Sequence, residues 1–131
     1  MTIPLWCLLG GALLPYIWAG VSVPFRSKQL GKVDLAQPRL QAADLTDAGA
    51  GAWGAQMNAW EALAIYMAAS LAAFIQGVDP AGSWATASMV WLGARALHGV
   101  FYVAGIAALR VLCFVTGTVM ALWIFFMAAS V

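Results

Sequence analysis

The stretch Ala94-Arg-Ala-Leu-His-Gly-Val-Phe-Tyr-Val-Ala-Gly-Ile-Ala-Ala-Leu-Arg110 sets Arg95, His98, Tyr102 and Arg110 in surroundings that are otherwise apolar. Arg95, His98 and Tyr102 stand at i, i+3 and i+7, so on a helix they form one polar stripe. In a water-soluble domain this stripe would be an ordinary solvent-facing surface. The rest of the chain argues otherwise. Hydrophobic residues make up 64% of the 131 positions and charged residues 8%, and the mean hydropathy is +0.89. A soluble domain carries roughly 25% charged residues, so this chain has too few to cover a water-facing surface. The composition predicts an all-α polytopic membrane protein forming one domain over residues 1–131. In that setting a retained charge needs a partner or a task.

Working outward from the stripe, Val111 to Val131 carries no charge, and neither do residues 1–25. A span needs ~20 apolar residues, and four helices are predicted, at about 3–23, 47–77, 83–104 and 108–130. The first has no basic n-region and too long an apolar run for a signal peptide, and Pro15 is expected to kink it. Residues 24–46 form the hydrophilic loop, with Arg26, Lys28, Lys32 and Arg39 among the six basic residues of the chain. The positive-inside rule puts that loop in the cytoplasm and both termini outside. Asp44 or Asp47 is expected to cap the second long helix. That helix opens with Gly49, Gly51 and Gly54, small residues that allow close helix contact. Gly77-Val-Asp-Pro-Ala-Gly82 is a turn signal without Lys or Arg.

The topology gathers a second set of polar groups at the depth of the stripe. Asn58 and Glu61 are three residues apart and share a helix face, with Gln56 and Trp60 near them. A lipid-facing charge costs about 2.5–3.5 kcal/mol at the centre of a span. These faces are therefore expected to turn inward, with Glu61 near Arg95, as a polar cluster open to the cytoplasm. Each member also has a structural reading: a buried Glu61–Arg95 pair, Asn58 as an interhelical clamp, a packed His98, an interface aromatic at Tyr102, and Arg110 anchoring a helix end. Cys7 and Cys113 sit in apolar runs without metal-ligand spacing and read as buried thiols; no metal site is expected. A net charge of +1 gives no indication of nucleic-acid binding.

Asn58-Ala-Trp-Glu61 resembles the Asn-x-x-Glu element of the membrane-associated proteins in eicosanoid and glutathione metabolism, the MAPEG family. Arg95-x-x-His98-x-x-x-Tyr102, followed by Arg110 and Phe114, resembles that family's second motif. The likeness runs from about Ala48 to the C-terminus. It implies a left-handed four-transmembrane-helix bundle, a homotrimer in a bacterial inner membrane, with glutathione bound between protomers near the cytoplasmic face. It gives Arg110 the catalytic role of stabilising the glutathione thiolate. Asn58, Glu61, Arg95 and Tyr102 would hold the tripeptide, with His98 in support. The activity implied is thiolate attack on a lipophilic electrophile. The pattern departs from the family at Gly54 and Met57, where its enzymes commonly carry basic residues, at Val111 in place of a serine, and at Phe114 in place of a tyrosine. Arg26 and Arg39 in the loop are the candidates for compensation, which no motif in the sequence marks. These departures keep a second reading in view, a non-enzymatic protein on the same scaffold that binds a lipid headgroup or other small anion.

Overall fold

A computed structural model describes residues 1–131: five helices and no strand. Helix α1 (Ile3–Leu30) begins with proline in its first turn, where the missing N–H would have had no partner anyway. It ends on Gly31 at φ +79°, a left-handed position that suits glycine. It runs on past Val23, its expected end, through Pro15 and Pro24. Tertiary contacts explain this extension. Ser22 and Arg26 stay on the buried stripe. The Gln29 amide clamps Thr46, accepting from its N–H at 3.0 Å and donating to its carbonyl at 3.2 Å.

The hydrophilic loop is shorter than expected and contains a one-and-a-half-turn helix, α2 (Pro38–Ala43). The Arg26 guanidinium donates to the Pro38 carbonyl at 2.7 Å and to the Ser22 hydroxyl at 3.2 Å. Gln41 accepts from the Asp34 N–H at 2.9 Å and donates to the Lys32 carbonyl at 2.6 Å. The Asp34 carboxylate accepts from the backbone N–H groups of Gln37 and Ala36, which hold its pKa below the usual carboxylate value.

Helix α3 (Asp47–Ile75) is capped by neither expected aspartate. Its N-cap is Thr46, whose side chain makes no capping bond, while Asp44 closes α2. The Gln29 clamp fixes the backbone of Thr46, so the helix starts where α1 holds it. Asp47 lies in the first turn at φ +48°, a left-handed conformation that aspartate tolerates better than most residues. Helices α4 (Ser83–Val103) and α5 (Ala107–Ala129) follow, joined through Gly105 at φ +72°. Arg110 thus sits in the first turn of α5.

Three helices, α1, α3 and α5, are long and apolar enough to cross a membrane. Helix α4, which bears the Arg95–Tyr102 stripe, is not one of them. Helices α3 and α4 form the central pair, each packed on both α1 and α5. Small residues make the close contacts. A Cβ on Gly11 would come within 2.5 Å of the Trp91 ring, and one on Gly99 within 2.1 Å of the Trp18 ring. The larger core lies toward the α3–α4 turn. There Tyr66 stacks on Trp91 at 3.9 Å and donates its hydroxyl to the Pro4 carbonyl at 3.1 Å. A smaller core of Leu14, Trp18, Ala55 and Ala59 lies toward the loop. Large apolar side chains such as Ile17, Leu71, Leu112 and Phe126 point outward, as a lipid-facing surface requires.

Candidate functional site

The polar residues predicted from the sequence converge at the loop end of the bundle, but not in the arrangement expected. Arg95 is 3% exposed and donates through Nη2 to the Asn58 side-chain oxygen. The Asn58 amide donates in turn to Glu61 Oε2 at 3.2 Å. The direct Glu61–Arg95 pair is therefore absent, because Asn58 stands between them as a neutral relay. The expectation that Glu61 faces inward is also corrected: in the single chain its side chain is exposed. Helical geometry accounts for both. With Asn58 turned toward α4, a residue three positions on lies up to 60° further round α3, at the edge of the contact.

Arg95 rests among apolar groups. Its guanidinium carbon is 5.8 Å from the centre of the Phe114 ring, and its Nε and Nη1 have no partner. Gly117 makes room for its stem: a Cβ there would lie 2.9 Å from Arg95 Cδ. His98, one turn along α4, is buried, with its ring edge-on to Tyr102 at 5.4 Å and tilted against Phe114 at 6.3 Å.

Arg110 is half-buried, and its guanidinium lies over the face of the Tyr102 ring, 4.4 Å from the centre. Two adjoining cavities share this pair. The inner one, about 240 Å³, is lined by Asn58, His98, Tyr102, Arg110, Val111 and Phe114. The outer one, about 420 Å³, reaches Asp47, Trp53 and Gly54. Of the six predicted site residues, the inner cavity brings together Asn58, His98, Tyr102 and Arg110. Arg95 stands behind Asn58, and Glu61 stands outside.

The compensating arginine is not supplied from α1, since Arg26 is buried and committed to Ser22 and Pro38. Arg39 is exposed on α2 and lines neither cavity. Trp53 and Asp47 escaped the sequence reading as lining residues. Nothing in their local pattern marks them; the Gly51-x-x-Gly54 spacing, which predicts a close neighbour on that face of α3, was the available signal.

Chemically, the inner cavity offers one permanent cation, one amide and an imidazole within an apolar shell. That set suits a small anion or an ionising thiol, whose charged form an adjacent guanidinium favours. No group of three or more His, Cys, Asp or Glu residues that could hold a metal is present. A family model described as the MAPEG family matches residues 3–130 of the chain. The comparisons with curated proteins and with solved structures return no match.

Proposed function

The chain belongs to the MAPEG family and is an integral membrane protein, and from that premise we propose that it is a glutathione transferase-like enzyme. In this reading Arg110 holds the glutathione thiolate for attack on a lipophilic electrophile entering from the bilayer. The observation that carries the proposal is the placement of Arg110, which lines both cavities and shares the inner one with Asn58 and His98. The free thiol has a pKa of about 8.5, so a fixed neighbouring cation raises the reactive fraction at neutral pH. The thiol proton leaves to water; the thiolate sulfur then bonds to the electrophilic carbon as a leaving group departs.

The same reading includes four spans, with α4 crossing alongside the other three and the basic loop in the cytoplasm. It places the protein in a bacterial inner membrane as a homotrimer. The exposed Glu61 supports the assembly: a carboxylate on the bundle's outer face at this depth is costly against lipid, and a second protomer seated there would shield it. Glutathione would then lie between protomers, its peptide reached by Tyr102 and by Asn58, which Arg95 holds from behind, and its ammonium by Glu61.

One set of observations favours the second reading, a non-enzymatic protein binding a lipid headgroup or small anion. Gly54 and Met57 offer no cation, and Arg26 is already engaged. Purified protein in detergent decides between them. Catalysis of chlorodinitrobenzene conjugation above an empty-micelle blank, with thermal stabilisation by millimolar glutathione, is expected. Absence of both, with stabilisation by inorganic phosphate or anionic lipid instead, would establish the second reading.

A further inference from the structure

Gly54 occupies a place where a side chain fits only if the Tyr102 ring moves away. A Cβ built there would lie 2.7 Å from Tyr102 Cζ, 2.8 Å from Cε1 and 2.9 Å from the hydroxyl oxygen. One turn earlier, a Cβ on Gly51 would lie 2.5 Å from the Tyr102 carbonyl oxygen. Gly51 and Gly54 share one face of α3, so the last turn of α4 lies directly on bare α3 backbone, with the Tyr102 ring against Gly54. The same ring carries the Arg110 guanidinium on its face. An arginine side chain loses considerable rotamer freedom when it is held, and an aromatic face is one of the few groups that can hold it in an apolar setting.

From this chain of contacts we infer that Gly54 is a positioning residue for Arg110, acting through Tyr102. The bare α3 backbone is the seat that lets the tyrosine ring stand between the two cavities with its face toward the cation. The small residue at 54 is thus matched to Tyr102. A basic side chain at 54 and the Tyr102 ring in this position are mutually exclusive, so the site fixes its one cation by stacking and does not add a second from α3. The consequence for thiolate chemistry rests on the function proposed above; the positioning of Arg110 does not.

The experiment measures Arg110 directly. Detergent-purified protein is treated with phenylglyoxal, and modification at Arg110 is followed by peptide mass spectrometry in wild type, Gly54→Ala, Tyr102→Leu and the double variant. Gly54→Ala is expected to speed modification several-fold, because displacing the ring frees the guanidinium. Tyr102→Leu should do the same, and adding Gly54→Ala to it should change nothing further. Equal rates in wild type and both single variants would overturn the inference, as would full additivity in the double variant. If Gly54→Ala fails to fold, the comparison of wild type, Tyr102→Leu and Tyr102→Phe carries the test, with Tyr102→Phe expected to match wild type. A parallel pH profile of conjugation separates the two proposals. An inactive wild type with the expected modification pattern removes the enzyme reading alone. An active wild type whose profile and modification rate are both unmoved by Gly54→Ala removes the positioning role alone. Under both proposals, Gly54→Ala shifts the profile to higher pH with kcat falling more than KM rises.

Discussion

Replacing Asn58 by alanine should destabilise the protein more than removing Arg95. The Arg95 guanidinium is buried, its Nε and Nη1 are unpartnered, and its side-chain hydrogen bond is to Asn58. Losing a hydrogen bond to a charged group costs about 1.5–3 kcal/mol. Leaving a buried charge without its partner costs about 3–5 kcal/mol. We therefore expect Asn58→Ala to lose about 3 kcal/mol. Arg95→Met removes the charge itself and keeps an unbranched stem against Gly117. Replacing buried ionic groups by packed apolar ones is often neutral or stabilising, so this variant should stay within about 1 kcal/mol of wild type. In Asn58→Ala/Arg95→Met most of the loss should be recovered. Unfolding in mixed micelles, followed by tryptophan fluorescence and circular dichroism, supplies the four free energies of the cycle. An Asn58→Ala variant as stable as wild type, or an Arg95→Met variant less stable than Asn58→Ala, would refute the relay.

Three further outcomes follow from other contacts. Gly99→Ala drives a methyl to within 2.1 Å of the Trp18 ring, and overpacking of this kind costs about 1–3 kcal/mol; a lowered melting temperature checks it, whereas Gly93→Ala, with nothing within 4 Å of its Cβ position, should be neutral or slightly stabilising. Tyr66→Phe leaves the Pro4 carbonyl without its buried donor and should cost about 1–3 kcal/mol, read in the same unfolding titration. Asp34 has a folded pKa below its unfolded value of about 3.9, so the order it gives the loop is complete above that value and is lost as pH falls through the folded pKa; hydrogen-exchange protection of the Ala36 and Gln37 amides should hold at pH 5, decline well below pH 4, and be weak at both in Asp34→Ala.

The membrane class and the grouping of polar residues were legible in the sequence because they follow from composition and helical period. Arg95, His98 and Tyr102 could share a stripe only on a helix, and the turn at 77–82 brought that stripe to the depth of Asn58 and Glu61. What was not legible depended on rotation about helix axes and on contacts across the fold. Whether Asn58 or Glu61 meets Arg95 is a matter of one helix's orientation, and the three-residue offset that puts them on one face also lets only one of them point straight at α4. The cap of α3 departs from local preference, which favours aspartate, because Gln29, seventeen residues earlier, fixes Thr46. The first helix runs past its expected end for a similar reason: a proline and a charge signal a loop locally, but Arg26 is buried and bonded to the Pro38 carbonyl. Gly54 was visible as a missing base, but its match to the Tyr102 ring needed the packing of α4 on α3.

The central claim is that Arg110 stabilises a glutathione thiolate, and the ultraviolet absorbance of that thiolate reports it without any second substrate. Free glutathione is about 3% ionised at pH 7, given a thiol pKa near 8.5. Mixing it with the wild-type protein at that pH should give a thiolate signal that saturates with glutathione concentration. Arg110→Ala, folded and of unchanged oligomeric size, should give none above the free-solution value. A saturating signal of equal size in Arg110→Ala, or none in the wild type, would contradict the assignment.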